Sequence, residues 1–169
     1  MSEIKILDGK KLLIVDDEPD VVETIKALLD MCNIDTAADF ETGKKLLNQN
    51  KYDIAVLDIM GVKGYDLLDI ANKQRIPALM LTAHAMSPDN FAKSIAGGAK
   101  AYIPKEKMAE IAVYLSDLLK AQEGKEKPHR WFARLKSFFE AQFGKGWLES
   151  YREIRDEMEK KYGPFNNLD

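Results

Sequence analysis

Residues 12–19 read Leu12-Leu13-Ile14-Val15-Asp16-Asp17-Glu18-Pro19, four apolar residues followed by three acidic ones and a proline. An unbroken apolar run of this length is typical of a strand covered on both faces, because a strand with one wet face would alternate polar and apolar residues. Residues 54–57 and 78–81 form two further apolar runs, and weaker strand patterns lie at 35–38 and 101–104. The sequence therefore predicts five strands.

Segments with apolar residues at helical spacing follow these strands. They cover residues 19–31, 41–50, 65–73, 87–96 and 107–122. Strands that alternate with helices are joined by right-handed crossovers and form a parallel sheet with helices on both faces. The predicted fold class is therefore α/β, with five parallel strands and an α-helical C-terminal extension.

Chemically active side chains follow the predicted strands at their carboxyl ends. They are Asp16, Asp17, Asp58, Thr82 and Lys105. Parallel strands bring these ends to one edge of the sheet, where α/β proteins bind ligands. Each residue alone would more simply belong to a turn, and Asp17 or Glu18 before Pro19 could cap the first helix. The placement of all five at strand carboxyl ends indicates a shared site.

Three neighbouring carboxylates need a positive partner. Two unit charges about 4 Å apart repel by about 4 kcal/mol at the effective dielectric of a protein surface. Oxygen ligands suit Mg²⁺ better than Zn²⁺. We predict that the adjacent Asp16 and Asp17 hold this ion, which leaves Asp58 as the nucleophile. Lys105 can neutralise the oxygens of a phosphoryl group, and Thr82 can donate a hydrogen bond to them. These residues together are therefore suited to accept a phosphoryl group on Asp58.

The longer motifs around these residues resemble the receiver domain of two-component response regulators, over about residues 10–121. The matching stretches are Leu-Ile-Val-Asp-Asp-Glu-Pro at 13–19, Tyr-Asp-Ile-Ala-Val-Leu-Asp-Ile-Met at 52–60, Leu-Thr-Ala at 81–83 and Gly-Gly-Ala-Lys-Ala-Tyr-Ile-Pro-Lys at 97–105. The resemblance implies a flavodoxin-like sheet with strand order 2-1-3-4-5. It also implies that a sensor histidine kinase or a phosphotransfer protein phosphorylates Asp58.

The same resemblance assigns further roles. Asp17, Asp58 and the backbone carbonyl of Met60 would hold Mg²⁺, and Asp16 would do so largely through water. Thr82 and Tyr102 would form the switch pair, in which the Thr82 hydroxyl moves to the phosphoryl group and Tyr102 turns inward. Such a switch changes the surface of the last helix, strand and helix of the domain.

The segment after Asp58 departs from the family pattern. It reads Ile59-Met60-Gly61-Val62-Lys63-Gly64, without the usual proline, and an alignment of Gly64 with the family glycine makes the loop two residues shorter. Met60 and His84 occupy the positions that, by the same resemblance, the family uses to tune access of water to the phosphoryl group. An apolar Met60 predicts a phosphoryl lifetime longer than seconds.

Composition narrows the class of protein. The 169 residues include 46% hydrophobic and 31% charged side chains, with a net charge of −3 and one cysteine. We therefore expect a soluble protein with no membrane span and no nucleic-acid partner. Cys32 has no partner for an internal disulfide, and the amino terminus lacks the apolar stretch of a secretory signal, which favours a cytoplasmic setting.

The last 49 residues are built differently, since they hold nine of the fifteen aromatic residues. We predict a receiver domain at 1–122, a linker at 123–128 and a helical extension at 129–169. Two helices, at 129–143 and 146–162 with a bend between them, or one long bent helix would carry a continuous aromatic stripe. The stripe could pack on the receiver or on itself, form a homodimer or bind a protein partner through residues 129–162. The acidic residues of the second helix argue against binding to a membrane surface. The short length and nearly neutral charge of the extension argue against DNA binding.

The predicted function is that of a response regulator in a phosphorelay, which is not an enzyme and which switches an interaction or dimerisation surface when Asp58 is phosphorylated. One alternative is a Mg²⁺-dependent phosphatase or phosphotransferase that uses Asp58. Such enzymes usually carry a second acid where this chain has Met60. The other alternative is a phosphate-independent pseudo-receiver scaffold, which the complete set of site residues disfavours.

Overall fold

A computed structural model describes residues 2–163 and the side chains among residues 4–163. Its five strands are β1 (Lys11–Val15), β2 (Asn33–Ala37), β3 (Ile54–Asp58), β4 (Ala78–Thr82) and β5 (Ala101–Pro104). They form one parallel sheet in the order β2-β1-β3-β4-β5. The α/β fold class and the 2-1-3-4-5 strand order are confirmed.

Helices cover the sheet and continue beyond it. They are α1 (Pro19–Leu28), α2 (Phe40–Gln49), α3 (Gly64–Lys73), α4 (Pro88–Ala96), α5 (Ile111–Gln122), α6 (Arg130–Phe143), α7 (Trp147–Ser150) and α8 (Arg152–Tyr162). Two 3₁₀ helices lie at Ser2–Leu7 and Lys105–Glu110. No helix among residues 2–163 combines the length and the apolar character that crossing a bilayer requires.

The central strands are buried as their apolar sequences predict. Every residue of β3 and β4 is buried, and so are four of the five residues of β1. Polar functional groups at the carboxyl ends of these strands are therefore held by rigid, water-free backbone. This sheet positions the site described below.

Several boundaries differ from the sequence predictions. Helix α1 ends three residues early, because the chain turns at Leu29 to bring Asn33 beside Lys10, whose carbonyl accepts the Asn33 N–H at 2.8 Å. The segment predicted to begin the last helix at residue 107 belongs to the second 3₁₀ helix, and α5 begins at Ile111.

The second helix predicted for the extension, 146–162, is divided. Tyr151 leaves the helical conformation, with φ −104° and ψ 83°, and separates α7 from α8. This break lets Trp147 and Leu148 on α7, and Ile154 and Met158 on α8, all be buried. Residues 164–169 of the predicted extension, including Phe165, lie outside the described residues.

We call residues 129–163 the tail, and its aromatic stripe packs on the α/β unit that carries the sheet. Phe91 of α4 lies at the centre of this contact, surrounded by rings from both parts. The centroid distances from Phe91 are 5.2 Å to Tyr102, 6.0 Å to Trp131, 5.9 Å to Phe132, 5.2 Å to Phe139 and 5.3 Å to Trp147. The stripe thus packs on this chain's own α/β unit.

Polar contacts join the tail to the α/β unit at both ends. The Arg134 guanidinium on α6 donates to both carboxylate oxygens of the buried Asp117 on α5, at 2.6 and 3.2 Å. The Lys161 ammonium on α8 donates to the carbonyls of Ile95 and Ala99, at 3.1 and 3.4 Å. These bonds satisfy a buried carboxylate and two backbone carbonyls where the tail meets the α/β unit.

Phe91→Ala is expected to lower the free energy of unfolding by about 3–5 kcal/mol, because it removes a ring packed on every side. Urea unfolding of the full chain measures this loss. Tyr151→Ala removes a ring that is 42% exposed and should change stability by about 0.5 kcal/mol or less. A loss below about 1 kcal/mol for Phe91→Ala would mean that the tail does not cover α4 in solution.

Candidate functional site

The carboxyl edge of the sheet brings the predicted site residues together. Asp16 follows β1, Asp58 ends β3, Thr82 ends β4 and Lys105 follows β5. Asp16 and Asp58 are 1% and 5% exposed, and Thr82 is also buried. The order of the strands alone places these four residues side by side, because β1, β3, β4 and β5 are consecutive neighbours in the sheet.

Lys105 is the cation of the site. Its ammonium lies 2.9 Å from an Asp16 carboxylate oxygen, 2.6 Å from a Glu18 carboxylate oxygen and 3.5 Å from an Asp58 carboxylate oxygen. One ammonium thus serves three carboxylates and lies nearer to two of them than to Asp58. The site keeps an excess of negative charge.

Glu18 is the residue whose role the sequence analysis missed. It precedes Pro19 at the start of α1, but its side chain makes no helix-capping bond. Its backbone N–H donates instead to the Asp16 carboxylate at 2.8 Å, while its own carboxylate reaches Lys105. The acidic run that follows β1 is the only sequence signal for this role, because Glu18 and Lys105 are far apart in the chain.

The acidic oxygens form a group that suits a hard cation. Asp16, Asp17, Glu18 and Asp58 each offer a carboxylate oxygen, and these oxygens all lie within 4.8 Å of one another. Asp16 and Asp58 are buried while Asp17 and Glu18 are exposed, so the group opens to water on one side. An all-oxygen set with room for water fits Mg²⁺.

The loop after β3 is built around the acidic group. Gly61 has φ +86°, and a Cβ atom at this position would run into the Asp17 carboxylate. A Cβ at Gly64 would run into the backbone carbonyl of Asp58, and the Gly64 N–H donates to the Ile59 carbonyl at 3.1 Å. Two glycines therefore allow the short loop to fold closely over the site.

Met60 and His84 lie at the mouth of the site. Together with Asp17, Glu18, Asp58 and Gly61 they line an open pocket of about 340 Å³. The Met60 side chain is 54% exposed and that of His84 is also exposed. Both side chains are thus placed on the path that water would take to Asp58.

The protonation of the acidic group reflects its burial and crowding. Burial and the charge of Asp16 raise the pKa of Asp58 to about 6, against the opposing effect of Lys105. Burial likewise raises the pKa of Asp16. The Lys105 ammonium lowers the pKa of Glu18. Burial alone would lower the pKa of Lys105, but its contacts with Glu18, Asp16 and Asp58 outweigh it and raise that pKa.

Thr82 and Tyr102 are joined through the loop that follows β4, residues 83–87, which we call the switch loop. The Ala85 N–H donates to the Thr82 hydroxyl oxygen at 3.1 Å. The Tyr102 hydroxyl donates to the Ala85 carbonyl at 2.8 Å and accepts from the Ser87 N–H at 3.3 Å. Tyr102 is completely buried and points inward in this structure.

The raised pKa of Asp58 predicts a pH-dependent stability difference between the wild type and Asp58→Asn. The folded state favours protonated Asp58, so this contribution is present below pH 4 and is lost as the pH rises through about 6. Without Mg²⁺, the stability of Asp58→Asn relative to wild type should increase by about 1 kcal/mol from pH 4 to pH 7, after allowance for solvent screening.

Urea unfolding at several pH values checks this expectation. Asp69→Asn, which removes a carboxylate from the exposed face of α3, is the matched control. If the free energy of unfolding of Asp58→Asn relative to wild type stays constant or decreases with rising pH, the placement of Asp58 is contradicted.

Comparisons with known proteins agree with this geometry. A family model described as the response regulator receiver domain matches residues 12–115. Among solved structures, a CheY-like response regulator receiver domain protein from Methanospirillum hungatei JF-1 is 27% identical, with a TM-score of 0.63 over 69% of this chain and 98% of that one. The receiver domain of the Francisella response regulator 1452 is 26% identical, with a TM-score of 0.60 over 68% of this chain and 99% of that one.

Curated relatives are longer than this chain. The response regulator GtcR of Aneurinibacillus migulanus is 29% identical over 70% of this chain and 53% of its own length. The heme response regulator HssR of Staphylococcus aureus (strain Newman) is 38% identical over 50% of this chain and 40% of its own. The chain thus spans about half the length, or less, of these relatives. On the family match, the strand order and the acidic edge, this chain belongs to the response regulator receiver domain family.

Proposed function

We propose that Asp58 is the phosphoacceptor of this receiver and that a sensor histidine kinase or a phosphotransfer protein is the donor. The observation that carries the proposal is the position of the Asp58 carboxylate, buried against Lys105 yet lining a pocket open to solvent. A phosphohistidine side chain can reach such a carboxylate, and Asp16 is not among the residues that line this pocket. Membership of the family supports the same assignment.

In the proposed reaction an Asp58 carboxylate oxygen attacks phosphorus, and the bond from phosphorus to the donor's histidine nitrogen breaks. The proton taken up by the leaving imidazole comes from water or the donor protein. Lys105 neutralises charge on the phosphoryl oxygens, for which its ammonium must share or leave its contact with Glu18. The Thr82 hydroxyl oxygen accepts a hydrogen bond from the Ala85 N–H, which leaves the hydroxyl hydrogen available for donation to a phosphoryl oxygen.

Mg²⁺ fits this donor set, and the residues proposed to hold it are Asp17, Asp58 and the carbonyl of Met60, with Asp16 acting largely through water. The oxygens within 4.8 Å of one another and the space left by Gly61 beside Asp17 support this assignment. When bound, the ion supplies positive charge that offsets the acidic cluster and the phosphoryl oxygens.

We further propose that the receiver is a signalling switch and not an enzyme that turns over free substrates. Met60 stands two residues beyond Asp58, where a phosphatase of this type would carry a second acid. We assign Met60 and His84 to the control of phosphoryl lifetime, with the apolar Met60 hindering attack by water. Thr82 and Tyr102 are proposed as the switch pair.

The proposed organisation is a receiver at residues 1–122, a linker at 123–128 and an output extension at 129–169. No nucleic-acid partner is proposed, since the tail carries nearly balanced charge. Homodimerisation or partner binding through residues 129–162 is proposed to use either the exposed face of these helices or the aromatic stripe. Use of the stripe would require it to leave the α/β unit, because Trp131, Phe132 and Phe139 are fully covered. A cytoplasmic setting suits the proposed kinase donor and the lone Cys32.

Incubation of the full chain with acetyl phosphate and Mg²⁺ should add one phosphoryl group at Asp58, detected by intact mass and peptide mapping. Asp58→Asn should remain unmodified. Asp53→Asn, at the opposite end of β3, is the matched control and should react like the wild type. An unmodified wild type, or modification that persists in Asp58→Asn, would refute the assignment.

Gly61→Ala should weaken Mg²⁺ binding by at least about tenfold, because the new methyl group displaces the Asp17 carboxylate, a loss of about 1.4 kcal/mol. Gly144→Ala is the matched control, since Gly144 has φ +99° but open space around its Cβ position. It should introduce similar backbone strain and leave Mg²⁺ affinity unchanged. Calorimetric titration with MgCl₂ distinguishes the two, and equal affinities would show that Asp17 does not hold the ion.

A further inference from the structure

The tail touches the proposed switch directly. Phe139 of α6 lies with its ring centroid 6.0 Å from that of Tyr102 and 5.2 Å from that of Phe91. All three rings are completely buried. The outer side of Tyr102 is therefore covered by a residue that belongs to the extension and not to the sheet unit.

Tyr102 connects this contact to the phosphorylation site. Its hydroxyl holds the switch loop by bonds to the Ala85 carbonyl and the Ser87 N–H, and the Ala85 N–H holds the Thr82 hydroxyl oxygen. The path from Phe139 to Thr82 thus contains one ring contact and two well-made hydrogen bonds. Displacement at either end must strain or break one of them.

The directions of these hydrogen bonds decide whether the docked tail favours or disfavours a phosphoryl group on Asp58. A threonine hydroxyl can accept one hydrogen bond and donate another at the same time. Since Thr82 accepts from Ala85 in the docked structure, its hydrogen remains available for an oxygen of a group attached to Asp58. The arrangement that the docked tail holds is therefore already suited to a phosphoryl group.

Loss of the tail contact would remove this pre-organisation. Without Phe139, the Tyr102 ring would face water on one side and could rotate outward, which releases Ala85 and Ser87. The freed switch loop would then no longer fix Thr82. Phe139 acts on Asp58 only through Tyr102 and is in this sense a positioning residue.

We propose that Phe139 positions Tyr102 for phosphoryl acceptance, so that docking of α6 and occupation of Asp58 by a phosphoryl group stabilise each other. The inference rests on the proposed function of Asp58. Thermodynamic linkage makes the effect reciprocal: the tail strengthens binding at the site by the same factor by which the occupied site strengthens docking of the tail. Typical couplings of this kind are about fivefold or larger.

The test measures the affinity of the full chain for beryllofluoride, a phosphoryl mimic, in saturating Mg²⁺. Phe139→Ala should weaken this affinity by about fivefold or more, and Phe139→Leu, which keeps apolar bulk against Tyr102, should restore most of it. Tyr151→Ala is the matched control, because it also removes a ring from the tail, but one that is 42% exposed. It should bind beryllofluoride like the wild type.

Mg²⁺ affinity provides the readout that separates positioning from general damage. Asp17 and the loop after β3 lie outside the path from Phe139 to Thr82, so Phe139→Ala should bind Mg²⁺ as the wild type does. If Phe139→Ala loses Mg²⁺ and beryllofluoride affinity in parallel, or loses neither, the positioning role is refuted.

Hydrogen exchange of the wild type tests the reciprocal effect and does not depend on any variant. Beryllofluoride with Mg²⁺ should slow amide exchange in α6 by about fivefold or more, relative to Mg²⁺ alone. Unchanged or faster exchange in α6 would overturn the proposal. If the wild type does not bind beryllofluoride, or if Asp58→Asn binds it equally well, the proposed function of Asp58 itself is refuted. If binding depends on Asp58 but Phe139→Ala binds as tightly as the wild type, only the coupling is refuted.

Discussion

Four carboxylates cluster at the carboxyl edge of the sheet, and three of them contact the single ammonium of Lys105; this imbalance of charge governs the site. Lys105 contacts Asp16, Glu18 and Asp58, while the oxygens of the acidic group lie within 4.8 Å of one another. The buried sheet holds Asp16 and Asp58 close together at the ends of neighbouring strands, although their like charges repel. The remaining negative charge is what makes the edge a place for a divalent cation, and it raises the pKa of Asp58 together with burial.

The tail places a second constraint on the protein. Its aromatic stripe is buried on α4 and β5, around Phe91 and Tyr102, so the surface beside the proposed switch is occupied by the chain itself. An output that depends on this surface must therefore act through the tail: either the tail transmits the state of Asp58, or a partner has to displace it. The bonds from Arg134 to Asp117 and from Lys161 to the end of α4 make such displacement costly.

Much of the fold and the membership of the site follow from local patterns. Continuous apolar runs mark buried parallel strands, and their carboxyl ends carry the residues that meet around the pocket. The position of Glu18 did not follow, because a residue before Pro19 looks like a helix cap and its partner Lys105 is distant in sequence. The break at Tyr151 and the docking of the tail did not follow either, since an amphipathic stripe shows that a face must be covered but not which surface covers it.

A crystal structure of residues 1–169 with Mg²⁺ and beryllofluoride tests the central claim most directly, that Asp58 is the acceptor within a pre-formed acidic edge. We expect beryllium bound to a carboxylate oxygen of Asp58, the ion against Asp17, the Lys105 ammonium turned toward the fluorides, and Tyr102 still inward beneath Phe139. Beryllofluoride absent from Asp58 in a crystal that holds Mg²⁺ at the acidic edge, or bound to another carboxylate, would contradict the account.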